Sequence, residues 1–165
     1  MLWPSIALLT FVTLQRLAEL IYARRNTAAL LAQGGREIAP GHYPYMVAMH
    51  TAWLVSLWLF ATGQPVVRMW FVIFMVLQGL RVWVLATLKG RWTTRIIILP
   101  GAPLVESGPY RFLSHPNYTV VIGEIAVLPL AFDLPLLAIV FSLLNAVILT
   151  IRIRAENAAL DQAMA

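Results

Sequence analysis

The chain has 165 residues, of which 61% are hydrophobic and 12% charged, and its mean hydropathy is +0.80. Soluble domains are about half apolar and about a quarter charged, so this composition excludes an ordinary soluble fold and predicts a membrane protein. The net charge of +5 does not indicate nucleic-acid binding, because the basic residues stand at the ends of apolar segments. Cysteine is absent, which excludes disulfides and thiolate chemistry.

Five apolar segments approach or reach the roughly 20 residues that cross a bilayer core. They are Trp3–Tyr22, Tyr43–Thr62, Pro65–Leu88, Pro116–Phe132 and Leu134–Ile151. The first lacks a basic flank and a cleavage site, so we interpret it as a retained helix rather than a signal peptide. The sequence therefore predicts an all-α polytopic protein with five transmembrane helices in one domain, residues 1–165. Residues 1–88 would supply three N-terminal helices and residues 89–165 a second block.

The positions of the basic residues predict the orientation. Only Arg68 belongs to one side of the predicted membrane, whereas nine basic residues belong to the other. Those nine are Arg24, Arg25, Arg36, Lys89, Arg91, Arg95, Arg111, Arg152 and Arg154. Because basic residues are enriched on the cytoplasmic side, we expect the N-terminus outside and the C-terminus in the cytoplasm.

Two connections are longer than the others, residues 26–42 and the central connection, residues 89–115. Loops longer than about 12–15 residues in a compact fold are usually functional or disordered. The central connection carries the β-branched run Ile96-Ile97-Ile98, which is typical of either a short buried strand or a hydrophobic lid.

Polar and turn-forming residues concentrate in the stretch Gly108-Pro-Tyr-Arg-Phe-Leu-Ser-His-Pro-Asn-Tyr118. Gly108-Pro109 interrupts regular structure, and Pro116 predicts the first turn of a helix, where a missing N–H is no loss. The free backbone N–H groups at that helix start would face the loop, an arrangement that suits an anionic or hydrogen-bond-accepting ligand. This stretch therefore predicts a pocket on the cytoplasmic side.

Several polar residues interrupt the apolar segments, where ionisable groups are costly and usually face a partner or a cavity. They are Arg16, Glu19, His50, Gln78, Arg81, Glu124 and Asn145. Arg16 and Glu19, three residues apart on one helix face, favour a structural ion pair. We interpret His50 as a hydrogen-bonded core residue in preference to a site residue.

Arg81 and Glu124 are the stronger site candidates. Glu124 is eight residues beyond Pro116, which places it about 12 Å deeper along a helix. A carboxylate at that depth needs a cation, and Arg81 is the nearest credible one. The pair would line a common cavity, and the alternatives are a purely structural pair and, for Arg81, a topological anchor.

These motifs resemble the integral-membrane isoprenylcysteine carboxyl methyltransferase family. The resemblance covers about residues 80–160 and rests on Leu80-Arg81-x-Trp83, Arg91-Trp92, Leu99-Pro100-Gly101, Gly108-Pro109-Tyr110-Arg111, His115-Pro116-Asn117-Tyr118, Glu124 and Arg152-x-x-x-Glu156. The earlier Gly41-His42-Tyr43-Pro44, with Met46 and His50, is similar to a bacterial branch that methylates long-chain alkylpyrones or alkylresorcinols.

The resemblance implies a membrane enzyme that transfers a methyl group from S-adenosylmethionine to an oxygen of a lipid-like acceptor. Residues 89–165 would then be the cofactor-binding block, with its pocket formed by the central connection and the C-terminal tail. By the same resemblance the cofactor would be held by Tyr110, Arg111, His115, Pro116, Tyr118, Arg152 and Glu156. Arg81 and Glu124 would act at the acceptor end, and the enzyme would lie in a bacterial cytoplasmic membrane.

The acceptor's chemistry stays open at this level. A carboxylate would need only orientation, for example by a bidentate contact with Arg81. An enol or phenol would need a base, for which Glu124 is the candidate.

Three alternative functions stay open at this level. An NADPH-dependent membrane enone or sterol reductase would share the C-terminal helical block, and a phospholipid N-methyltransferase is a nearer relative. A small non-enzymatic carrier would use Glu124, His50 and Arg81 as a proton relay. A metal enzyme is disfavoured, because three histidines without ligand-like spacing predict no metal site.

Overall fold

The computed structural model describes residues 3–164, and the side chains of residues 3–159. Five helices dominate it: α1 (Trp3–Ala32), α2 (Tyr43–Phe60), α3 (Arg68–Leu88), α4 (Pro116–Ala131) and α5 (Pro135–Met164). Two short strands, β1 (Arg36–Glu37) and β2 (Ile97–Ile98), pair antiparallel with Arg36 opposite Ile98. The predicted all-α character is thus confirmed, with the isoleucine run forming a short strand rather than an unpaired lid.

Three helical stretches are long and apolar enough to cross a membrane: Trp3–Ala32, Arg68–Arg91 and Pro135–Ala159. The helix Pro116–Ala131 is apolar but shorter. Large apolar side chains cover the outer surface of the bundle, among them Leu59, Val76 and Leu143, which are 71%, 68% and 65% exposed. Such a surface suits lipid rather than water. The fold is that of an integral membrane protein, while five spans and their orientation stay predictions.

Residues 26–42 are not the open connection that the sequence indicated. Helix α1 continues to Ala32, because Ala28-Ala29-Leu30-Leu31-Ala32 are good helix formers and Leu30 is buried. Asn26 therefore lies within α1 and does not begin a loop. Its side-chain amide donates hydrogen bonds to the backbone oxygens of Lys89 and Trp92 at 3.1 and 2.8 Å. This side chain connects the C-terminal part of α1 to the central connection.

The core lies between the helices at the end of the bundle opposite the central connection. Its buried members come from all five helices and include Leu9, Trp53, Leu57, Phe74, Leu128, Phe132 and Phe141. Helix α4 packs between α3 and α5, and its whole second half is nearly sealed from the surface. A second cluster of Ala23, Val84 and Trp92 supports the central connection.

Gly108 begins the 3-10 turn Gly108–Arg111 that precedes α4. Its φ of +59° lies in the left-handed region, and a Cβ there would overlap Thr87 Oγ1. Only glycine satisfies both demands. Gly108 therefore lets the central connection lie directly against the end of α3.

We expect Gly108→Ala to lower the free energy of unfolding by about 2–4 kcal/mol. The alanine would have to adopt a positive φ, and its Cβ would overlap a side chain of α3. In a chain of this size, that corresponds to a melting temperature roughly 5–15 °C lower in detergent. Gly79→Ala is the matched control, since Gly79 lies on α3 with open space around its Cβ position. Equal melting temperatures for the two variants would contradict the close approach.

Candidate active site

A cavity of about 310 Å³, here called the loop cavity, is enclosed by the central connection, the start of α4 and the end of α5. Its lining contains five of the seven residues assigned to the cofactor by resemblance: Tyr110, His115, Tyr118, Arg152 and Glu156. The other two do not line it. Arg111 is exposed to solvent, and Pro116 is buried in the first turn of α4.

Helix α4 begins at Pro116, as the sequence predicted, with His115 at its N-cap position. The ring of His115 stacks on that of Tyr118, one turn later, with centroids 5.3 Å apart. The Tyr118 hydroxyl donates to Glu156 Oε2 at 2.5 Å and accepts from Arg152 Nε at 2.9 Å. Because Arg152 and Glu156 are four residues apart, both face α4, and this chain of bonds joins the two helices at the cavity.

The loop cavity presents both signs of charge. Glu106 and Glu156 line it together with Arg91, Arg95 and Arg152. Burial, and secondarily the Glu156 carboxylate, raises the pKa of Tyr110 to about 12. The Tyr110 hydroxyl therefore stays protonated at neutral pH, so that it is a hydrogen-bond donor to a guest molecule.

A second cavity of about 330 Å³, the lateral cavity, lies between α1 and α2 and reaches α3, α4 and α5. Among its lining residues Leu17 and Leu20 of α1 and Val47 and Val55 of α2 are each more than a third exposed. The mouth between these two helices is therefore apolar and opens sideways. Farther in, the lining becomes polar and includes Arg16, Glu19, His50 and Arg81.

Four charged residues meet beside the lateral cavity, and we call them the ion cluster: Arg16 and Glu19 of α1, Arg81 of α3 and Glu124 of α4. The expected Arg16–Glu19 pair is present at 2.9 Å, and Arg16 Nη2 also donates to Glu124 Oε2 at 2.5 Å. Arg81 donates from Nη1 to Glu19 at 2.9 Å and from Nε and Nη2 to Glu124. Two cations and two anions make the ion cluster formally neutral.

Arg81 and Glu124, the predicted pair, are in direct contact, but they differ in access to the lateral cavity. Arg81 lines it, whereas Glu124 is 1% exposed and belongs to neither cavity lining. Both Glu124 oxygens already accept hydrogen bonds, including one of 2.6 Å from Gln78 Nε2. Glu124 therefore fixes the Arg81 guanidinium from the side that does not face the lateral cavity.

The two cavities share a wall, here called the partition, formed by Trp92, Thr93, Asn117, Tyr118 and Arg152. Trp92 Nε1 donates to Asn117 Oδ1 at 3.2 Å, and Tyr118 accepts from Arg152. Arg152 Nη1 also approaches the Met46 sulfur at 2.9 Å, which connects the partition to α2. The partition thus joins the central connection to α2, α4 and α5.

Sequence reasoning missed several of these residues as site residues. Trp92 and Asn117 belong to motifs that carry the family resemblance, but the sequence assigned neither residue a role. Thr93 adjoins Trp92 with no signal of its own. Met46 was recognised with the early motif but was given no role, because its contact with Arg152 joins residues 106 positions apart.

Comparisons with known proteins identify a family for the chain. The profile of the Isoprenylcysteine carboxyl methyltransferase (ICMT) family matches residues 69–162. "Uncharacterized protein YpbQ" of Bacillus subtilis (strain 168) is 39% identical over 169 residues, which cover 98% of each chain. No solved structure matches the chain. The matched region contains Arg81, Glu124, all five residues of the partition and every residue of the loop cavity's lining except Leu30. The chain belongs to the isoprenylcysteine carboxyl methyltransferase family.

Proposed function

We propose that the protein is an S-adenosylmethionine-dependent O-methyltransferase of the bacterial cytoplasmic membrane. Its acceptor is lipophilic: a prenylcysteine-like carboxylate or the hydroxyl of a long-chain alkylpyrone or alkylresorcinol. The observation that carries the proposal is the partition, because a charged cavity and a laterally open, apolar-mouthed one share these five residues. A polar methyl donor from the cytoplasm and a methyl acceptor from the bilayer would meet there. The donor would not have to enter the bilayer, and the acceptor would not have to enter the water.

The loop cavity has the groups that S-adenosylmethionine requires. Its volume lies at the lower end of the roughly 300–1,000 Å³ usual for small-molecule sites. The aromatic rings of Tyr110, His115 and Tyr118 provide stacking surfaces for an adenine. Glu156 is an acceptor for ribose hydroxyls or an ammonium group, and Arg91 and Arg95 are partners for a carboxylate.

When bound, S-adenosylmethionine supplies an electrophilic methyl group on a sulfonium. The protein's own contribution is chiefly alignment, because bringing two reactants into line can account for many kcal/mol of the barrier. Tyr118 and Arg152 belong to both cavity linings and are fixed by their mutual bond and by Glu156. They are placed to hold the two reactants across the partition.

Arg81 would orient the acceptor. Three of its five N–H groups are engaged by Glu19 and Glu124, which leaves one on each terminal nitrogen. Those two can donate to an acceptor oxygen in the lateral cavity. Glu124 would serve as the positioning residue that keeps the guanidinium in this orientation.

Calorimetric titration with S-adenosylhomocysteine tests the cofactor site. We expect the wild-type protein in detergent to bind it, and His115→Ala and Glu156→Gln each to weaken binding about 10- to 100-fold through loss of stacking or of a charged hydrogen bond. Thr119→Ala is the control, because Thr119 is an exposed residue of α4 outside both cavity linings. A wild-type protein that binds NADPH but not S-adenosylhomocysteine would overturn the proposal.

Removal of one charged residue from the ion cluster tests how much the cluster contributes to the stability of the fold. We expect Arg81→Met to cost about 3–5 kcal/mol, because it leaves a buried carboxylate short of a cation. The double variant with Glu124→Leu should be more stable than the sum of the two single losses, since it removes both charges. Melting temperatures in detergent report these differences.

Glu37→Gln is the control for the ion cluster, because the Glu37–Arg95 pair is partly exposed and is worth at most about 1 kcal/mol. Arg81→Met should also abolish methyl transfer while S-adenosylhomocysteine still binds, since Arg81 is outside the loop cavity. Unchanged transfer in that variant would remove Arg81 from the acceptor site.

A further inference from the structure

Among the described titratable residues that line the lateral cavity, His50 alone belongs to neither the ion cluster nor the partition. It lies on α2, one turn beyond Met46, and lines the cavity together with Arg81 and Tyr118. Its Nδ1 is 2.9 Å from the Met46 backbone oxygen, which is an acceptor only, so Nδ1 must carry the hydrogen of that bond. In the neutral ring, Nε2 is then the unprotonated nitrogen.

The Nε2 atom is available to a guest. Among the described residues no group bonds to it, and it is not one of the unpartnered side-chain atoms that are sealed from the surface. Since Nδ1 is bonded to the backbone of α2, Nε2 on the other side of the ring is left for the cavity that His50 lines. The helix therefore fixes the ring with its basic atom available.

The other titratable groups of the lateral cavity are already engaged. They are Arg16 and Glu19 of α1, Arg81 of α3, Tyr118 of α4 and Arg152 of α5. Both Glu19 oxygens accept bonds, from Gln15, Arg16 and Arg81, and the Tyr118 hydroxyl donates to Glu156. Arginine cannot accept a proton. Of the described residues, His50 is thus the only one lining this cavity with a basic atom free.

His50 is connected to the partition through Met46. Met46, whose carbonyl holds the ring, is the residue whose sulfur meets Arg152 Nη1. One helical turn, about 6 Å of rise, separates the two α2 residues. An acceptor whose oxygen reached the partition would present its polar head to His50.

We propose that His50 Nε2 is the general base of the reaction and that the acceptor is a neutral lipid hydroxyl of the phenol class; this rests on the proposed function. The acceptor oxygen bonds to the methyl carbon as the carbon–sulfur bond breaks and its electron pair passes to sulfur. The hydroxyl proton passes to Nε2, and the resulting imidazolium releases it to water after product departure. A carboxylate acceptor, already ionised at neutral pH, would need no such residue.

The test compares wild type with His50→Gln, using S-adenosylmethionine and two probes, a long-chain 5-alkylresorcinol and N-acetyl-S-farnesylcysteine. With the resorcinol at neutral pH, we expect kcat to fall about 100-fold with little change in KM. The deficit should shrink as the pH approaches 10, where a phenol ionises without help. S-adenosylhomocysteine affinity, measured by calorimetry, should be unchanged, which a general loss of structure would not allow.

His42→Gln is the matched control, since this histidine precedes α2 and lines neither cavity. It should methylate the resorcinol at the wild-type rate, and an equal loss in both variants would overturn the role of His50. A deficit independent of pH, or none, would do the same. Methylation of the farnesylcysteine alone by wild type would overturn the hydroxyl acceptor and leave the methyltransferase standing. Transfer to neither probe would overturn the phenol-class acceptor, and it would overturn the proposed function as well only if S-adenosylhomocysteine also failed to bind.

Discussion

The ion cluster is the constraint on which the rest of the structure depends. Charged side chains inside an apolar bundle have no water to solvate them, so each must find its counter-charge in the protein. Here the two arginines and two glutamates belong to α1, α3 and α4, and they neutralise one another only when these helices stand at one depth and rotation. Apolar surfaces can slide past each other at little cost. The charges cannot, and they therefore specify the register of the bundle more than they add to its stability.

That register determines where the two cavities meet. With α4 held at its middle by Glu124, its start brings His115, Asn117 and Tyr118 to the end of the bundle that carries the central connection, and α5 adds Arg152 and Glu156 on a facing stripe. The central connection completes the partition through Trp92, which rests on Ala23 and Val84. A charge network deep in the bundle thus positions groups that lie about two turns away along α4.

Much of this could be predicted from the sequence, and the reasons differ between elements. Helix existence followed from long apolar runs, the start of α4 from Pro116, and the Arg81–Glu124 contact from the cost of a lone buried carboxylate. The end of α1 was missed because hydropathy falls where a helix leaves apolar surroundings, although helix propensity persists through Leu31. The role of Asn26 as a link to Lys89 and Trp92, and the entry of Arg16 into the ion cluster, depend on contacts between distant parts of the chain, which no local pattern encodes.

The sideways mouth of the lateral cavity, between Leu17 and Leu20 on one helix and Val47 and Val55 on the other, has an energetic consequence. A lipid tail that enters it exchanges hydrocarbon for apolar side chains, so it gains little of the hydrophobic free energy that drives binding from water. For the lipophilic acceptors proposed above, the length of the tail would then contribute little to the difference in affinity between one acceptor and another. Selectivity would come from the polar head, and such a site would suit a mixture of homologous lipids that share one head group.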